Sequence, residues 1–422
     1  MKEHILENGL KIIYKNTTSK LTSISISLDA GAAVEGEKLG IAHATEHMVY
    51  KGTKKRSESE INRDLSNVFG FQNAMTNYPY VIYYGTLLSE DFEEGVEIFS
   101  DIIINPTFKE DGFKEEMDVI MEELKEWDEE LEQYCEDSLF LNAFNNRRIK
   151  YPIIGSIESL KSITLEDIKD FYKEFYCPGN ISIGIVSSLD FEEVKNIIEN
   201  YFANWSKDNS NIYSNSDMNS KLSVENRDFE NIVYENPKEG TFINYRNEIN
   251  TCKVLMIYPI NSLNIKELKA LRIFNEYFGE GVNSILYDKL RTENGLVYDV
   301  LTKIAYEKYI KLYKINFSTS NENLDETLKL INECIDELKN IESYLDEDKI
   351  KQFIKTLKLK RLFREEQSII LAKELSTYST MFNDYKVYTE ELNGLEELTS
   401  EFIFNVARKV LKNPSIEIVK NR

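Results

Sequence analysis

Gly40-Ile41-Ala42-His43-Ala44-Thr45-Glu46-His47-Met48-Val49-Tyr50-Lys51-Gly52 holds two of the three histidines in a chain of 422 residues. They stand in the order H-x-x-E-H. With 3 His and 73 acidic residues, the chance expectation of that pattern is about 4 in 1000. On an α-helix, residues i and i+4 stack on one face. His43 and His47 can therefore offer two imidazoles to one metal ion, with Glu46 on the same side. Two neutral imidazoles plus one further donor, with a position left for water, make a catalytic zinc site. Zinc lowers the pKa of that water, and a carboxylate that is not a ligand can take its proton and deliver hydroxide to a peptide carbonyl. One Zn2+ per chain is expected, with Glu46 as general base.

The order of residues is the inverted zincin arrangement. The third ligand has to come from elsewhere. The stretch from Lys109 to about Asn145 reads as helical and strongly acidic, and positions 116, 120 and 123 share one face. A carboxylate suits the vacant place, but spacing alone leaves Glu116, Glu122 and Glu123 open.

Composition narrows the function classes. A net charge of −22 argues against nucleic acid, because phosphates repel an acidic surface. It suits a basic or neutral peptide. Cys135, Cys177, Cys252 and Cys334 are scattered without a C-x-x-C pair, so they read as free buried thiols in a reducing compartment. No apolar run of signal-peptide or membrane-span length is present, and a cytoplasmic protein without a membrane partner is expected.

Local signals order the first half. Asn8-Gly9 turns a hairpin over residues 3–14. Leu21–Leu28 alternates as a half-buried strand does. Ser57-Glu-Ser-Glu60 is a capping box opening a helix to about Val68. Strand-like runs follow at Gly70–Thr76 and Tyr80–Tyr84, then a helix to Ile104 before Pro106. The chain also repeats itself. Ile163-Thr164-Leu-Glu166 with Pro178–Ile183 matches Leu398-Thr399-Ser-Glu401 with Pro414–Ile418, at an offset of 235–236 residues. The reading is α+β, with domains over 1–205 and 231–422 and an exposed Ser/Asn/Asp-rich linker over 206–230. The second copy has no His and can hold no equivalent zinc site.

Ala42–Thr53, Asn73-Ala74-x-Thr76, Asn105-Pro-Thr-Phe108 and Glu116-x6-Glu123 together resemble the insulinase/pitrilysin metallopeptidases, in their short-chain, mitochondrial-processing-peptidase-like branch. The resemblance runs from about residue 2 to 420. It implies two homologous domains, each a mostly antiparallel sheet packed on helices, facing each other across a chamber. It implies that Glu123 is the third zinc ligand and Glu116 its supporting acid. It implies that a peptide substrate adds as a strand beside Asn73-Ala74. Asn283–Tyr298 resembles the family's second-half segment, which implies that Arg291 and Tyr298 bind the substrate carbonyl and steady the oxyanion. A homodimer, or a heterodimer with a related inactive subunit, is implied as well. Ala44 and Thr45 replace a bulky apolar pair frequent in the family, which widens the site and suits a dedicated maturase of one peptide. A non-catalytic peptide-binding or scaffold subunit is the reading from a different class.

Overall fold

A computed structural model describes residues 1–205, 234–247, 249–338 and 346–422. The linker expected over 206–230 lies outside them. The N-terminal residues build a six-stranded sheet from β1 (Lys2–Ile5), β2 (Lys11–Asn16), β3 (Leu21–Leu28), β4 (Phe69–Thr76), β5 (Val81–Leu88) and β6 (Ile181–Ser187), in the order β1-β2-β6-β3-β5-β4. A five-stranded sheet follows from β7 (Gly240–Tyr245), β8 (Cys252–Pro259), β9 (Val297–Glu307), β10 (Ile310–Thr319) and β11 (Ser415–Lys420), in the order β7-β11-β8-β10-β9.

Strands β2 to β6 and β7 to β11 correspond one by one in chain order and in sheet position. In each sheet the first and last of these strands pair in parallel, and the other pairs are antiparallel. The repeat seen in the sequence is thus a repeat of topology, and the α+β class is the observed one.

Helices α1 (Ile41–Val49), α2 (Glu58–Val68), α3 (Phe92–Ile104), α4 (Glu110–Glu129) and α5 (Leu131–Ala143) fill the connections of the first half. The capping box at Ser57–Glu60 opens α2 as expected. The acidic helical stretch comprises two helices, because Glu130 takes an extended backbone (φ −70, ψ 101) between α4 and α5.

The chain forms two compact units, and neither is a contiguous half. One comprises Met1–Glu126, Tyr151–Asn231 and Phe363–Thr389; the other Trp127–Lys150, Ile232–Leu362 and Glu390–Arg422. Each sheet is covered by a helix from the other half of the sequence. In the second unit α5 lies on β8 and β11. There Lys253 pairs with Glu132 at 3.2 Å, Lys314 pairs with Glu136 at 2.8 Å, and buried Glu417 accepts from Asn142 and Asn244 at 3.0 and 2.7 Å. In the first unit the Ser368–Phe382 helix lies on β3 and β6.

This exchange corrects the reading of β3. The alternation of Ser and Ile suggested one wet face, yet Ser23, Ser25 and Ser27 are fully buried. The covering helix supplies partners for two of them: Ser23 meets Ser368 and Ser25 meets Ser376, both at 2.8 Å, and Ser182 on β6 meets Ser379 at 2.9 Å. Small residues let the two backbones approach closely. A Cβ on Gly184 of β6 would lie 2.2 Å from the Ala372 carbonyl oxygen. Gly184→Ala is therefore expected to destabilise the fold by about 3 kcal/mol through overpacking. Gly179→Ala, where an added Cβ meets nothing within 4 Å, is the control. Urea midpoints of the two variants check this.

Arg56 ties α2 to α3. Its guanidinium donates to Asp64 at 3.0 Å, to the buried Asp101 at 2.9 Å and to Glu97. Burial works against the charged form of Glu97, but the hydrogen bonds from Arg56 and Lys55 outweigh it and hold this carboxyl below its usual range. The hydrogen bond from Arg56 likewise lowers Asp64. A carboxylate whose pKa falls on folding adds stability above its unfolded value, about 4. That stability is lost as pH falls through the folded value. Arg56→Met is thus expected to be less stable at neutral pH and to lose less on acidification. Denaturant midpoints at about pH 7 and about pH 3.5 test this sign.

Candidate metal centre

Helix α1 begins at Gly40, whose backbone is left-handed (φ 89). A Cβ there would sit 2.4 Å from the Ile154 carbonyl oxygen, so both conformation and space require glycine. Glu35 finishes the cap, its carboxylate accepting from the Gly40 N–H at 3.1 Å and the Ala42 N–H at 2.9 Å. A negative charge at a helix N-terminus is favourable there. Ala42, Ala44, Thr45 and Met48 are buried, and this face fixes the rotation of the helix. His43 and His47 are left at the half-buried side.

Their Nε2 atoms lie 3.2 Å apart. Glu123 Oε2, reaching from α4, is 3.8 Å from His43 Nε2 and 3.6 Å from His47 Nε2. Among the described residues these three are the group of His, Cys, Asp or Glu whose donor atoms converge closely enough to hold a metal ion. The distances can be compared with what zinc needs. Metal–ligand bonds of about 2.0–2.1 Å in a tetrahedron put donor atoms about 3.3 Å apart. The observed edges match that figure or exceed it by a few tenths of an ångström, so the residues fit a zinc ion.

The structure separates the three acidic candidates that spacing left open. Glu123 meets both histidines. Glu116 stands behind His47, its Oε1 2.8 Å from Nδ1. Glu122 is exposed and pairs with Lys125. An acceptor at Nδ1 keeps the ring proton there and turns the Nε2 lone pair toward the common point. Lys51, nearly buried, holds Glu116 at 3.0 Å. His43 Nδ1 is buried and has no hydrogen-bond partner among the described residues, so the carboxylate support acts on one ring only.

The electrostatics differ between the two rings. Burial, and then the neighbouring His47, push His43 down to about 3. Burial also opposes charge on His47, but the hydrogen bond to Glu116 and the carboxylates Glu46 and Glu123 outweigh it and raise the pKa. Burial opposes ionisation of Glu116 as well, and its bonds to His47 and Lys51 pull its pKa down. Glu46 is buried at 8% exposure, and loss of solvent raises its pKa, partly offset by the hydroxyl of Thr76, which donates to its Oε2.

Thr76 belongs to β4, the edge strand that also carries Asn73 and Ala74. Ala74 and Thr76 point to the same face, the one on which Thr76 meets α1. The proposed docking strand and the proposed base are therefore joined by one hydrogen bond. In the second unit Arg291 and Tyr298 also come together. The Arg291 guanidinium lies 4.6 Å from the Tyr298 ring centroid and 5.3 Å from that of Tyr287, and donates to the Tyr298 carbonyl. The Tyr298 side chain is 79% exposed.

The insulinase model (Peptidase family M16) matches residues 11–156, and the M16 inactive-domain model matches residues 162–357. The chain belongs to the M16 (insulinase) peptidase family. A protein of Rickettsia felis named an uncharacterized zinc protease is 24% identical over 420 residues, covering 98% of this chain and 96% of its own. The rat mitochondrial-processing peptidase subunit beta is 32% identical over 198 residues, which is 47% of this chain and 40% of that subunit. A solved protease from Helicobacter pylori superposes with a TM-score of 0.84 at 20% identity, over 99% of both chains. At that identity the structural likeness speaks for the M16 fold alone.

Glu35, Lys51 and Thr76 were not identified as contributors from sequence. Glu35 lies outside the three-residue offset of a capping box. Lys51 and Thr76 meet their partners only once the chain has folded. Glu116→Ala is expected to weaken zinc binding by about 10- to 100-fold, and Lys51→Met to weaken it less. Competition with a chelating dye measures both.

Proposed function

We propose that this M16 protein is a zinc-dependent endopeptidase acting on extended peptides, with His43, His47 and Glu123 as ligands and Glu46 as general base. One observation carries the reading. Two imidazole nitrogens and a carboxylate oxygen converge at metal-binding distances, and a second, buried carboxylate sits on the same helix face outside that set. A bound Zn2+ would supply Lewis acidity toward a water molecule and toward a peptide carbonyl.

The chain's own residues do the rest. Glu46 takes the proton of the attacking water and returns it to the leaving amine. Its burial raises its proton affinity in the direction this work needs, and Thr76 fixes its orientation. Buried Tyr83 and Tyr176, whose hydroxyls meet at 2.8 Å, keep that side of the site dry. The substrate backbone pairs with the open edge of β4 at Asn73-Ala74. Arg291 and Tyr298 are the proposed contacts for the carbonyl and the oxyanion. Because both sets of residues lie in this one chain, an unrelated catalytic partner is not required. Four free, buried cysteines fit a reducing, cytoplasmic setting. Among the described residues no helix is long and apolar enough to cross a membrane.

The test is incubation of the zinc-loaded protein with an unbiased peptide mixture, read by mass spectrometry. Internal cleavage that a chelator stops and zinc restores supports an endopeptidase. Peptides retained uncut by the zinc-loaded wild type would favour a binding subunit instead.

A further inference from the structure

The two edges of the six-stranded sheet are built differently. β1 is short and carries Lys2, Glu3 and His4, the charged kind of edge that resists pairing. β4 is eight residues long, Phe-Gly-Phe-Gln-Asn-Ala-Met-Thr, without a charged side chain. One further group stands beside this open edge.

Across the sheet, Ser25 pairs with Tyr84 and Tyr84 with Asn73. Residues directly opposite share a face, so Ser25, Tyr84 and Asn73 form one row. Ser25 meets Ser376, which puts that row under the Ser368–Phe382 helix. From the same helix, the Lys373 ammonium lies 4.1 Å from the Tyr84 ring centroid. The Phe71 ring is 5.9 Å from that of Tyr84, and the side chain is 51% exposed. Lys373 is half-buried, and desolvation lowers its pKa. Among the described residues no carboxylate pairs with it. Its neighbour Glu374 turns to Arg364 at 2.6 Å. Lys373 thus lies against an aromatic face, with Glu374 acting on it only through its charge at a distance.

A strand added to β4 extends the row by one place. Its residue opposite Asn73 lies about 4.8 Å further out, on the face that Lys373 overhangs. The flexible four-carbon stem of lysine lets the ammonium swing from the ring to a guest side chain.

We propose that Lys373, backed by Tyr84 and Phe71, is a specificity subsite for the carboxylate side chain of an Asp or Glu in a peptide paired to β4, at the position facing Asn73. This rests on the endopeptidase reading above. The net negative charge suggested basic peptides; at this one position the requirement is the reverse.

The experiment uses a randomised synthetic decapeptide library and the zinc-loaded full chain, with cut sites read by mass spectrometry. Wild type is expected to enrich Asp and Glu about three- to tenfold at one fixed distance from the cleaved bond. Lys373→Gln should flatten that preference, Lys373→Glu should turn it toward Lys and Arg, and Lys373→Arg should keep it. Capture of the same library on immobilised, zinc-loaded Glu46→Gln protein, with and without Lys373→Gln, should give the same ordering without turnover. Glu46-dependent cleavage with no acidic preference, or with one that Lys373→Gln leaves unchanged, overturns the subsite and leaves the endopeptidase standing. A library neither cut by wild type nor retained by the Glu46→Gln protein overturns both.

Discussion

Glu46→Gln protein is expected to bind zinc as wild type does and to cut peptides at least about 1000-fold more slowly, within the range that general-base catalysis contributes. The substitution is nearly isosteric, and the amide oxygen still accepts from Thr76, so α1 and its histidines keep their places. Only the ability to take a proton is removed. The same substitution should leave stability unchanged or raise it. A carboxylate at 8% exposure is held against its desolvation cost, and a neutral amide of the same shape is not. A loss of activity together with a gain in thermal midpoint would mark Glu46 as a residue placed for chemistry rather than for folding.

The second large effect concerns the ligands. His47→Ala is expected to weaken zinc binding well beyond the about 10- to 100-fold assigned to a supporting residue. It removes one of three donors and also leaves Glu116 and Lys51 with a carboxylate–ammonium pair that no longer orients anything. Glu123→Ala should act in the same direction. Glu122→Ala should not, since Glu122 points to solvent and Lys125. The neighbouring pair Glu122 and Glu123 makes a sharp control, with one helix, adjacent positions and opposite outcomes. Equilibrium competition for zinc and peptide cleavage, measured on the same preparations, check it.

What was legible in the sequence follows from where the physics is local. Metal ligation fixes residue type and spacing at once, so His43, Glu46 and His47 could be read from a single turn of helix. The capping box at Ser57–Glu60 and the hairpin turn at Asn8-Gly9 are equally local. Glu123 is not, because an acidic helix offers several carboxylates, and only the packing of α4 beside α1 selects one. The Ser/Ile alternation of β3 misled for a related reason. Period-two polarity reports that two faces differ, not that one is wet. Its Ser face is covered by a helix that begins at Ser368, far along the chain, and hydroxyl pairs satisfy Ser23 and Ser25 there. Neither α5 nor the Ser368–Phe382 helix carries a marked amphipathic pattern, so nothing local names the sheet each covers. Their exchange between the two units therefore left no local signature. The repeat was visible because Thr164 and Thr399 cap equivalent helices leading to equivalent strands.

The measurement that tests the central claim most directly is the zinc content of purified, dialysed protein, set beside that of a His43→Ala/His47→Ala double variant of matched fold. The account predicts one zinc per wild-type chain and none in the double variant. A folded wild-type protein that takes up no zinc, or a double variant that keeps it, would contradict it.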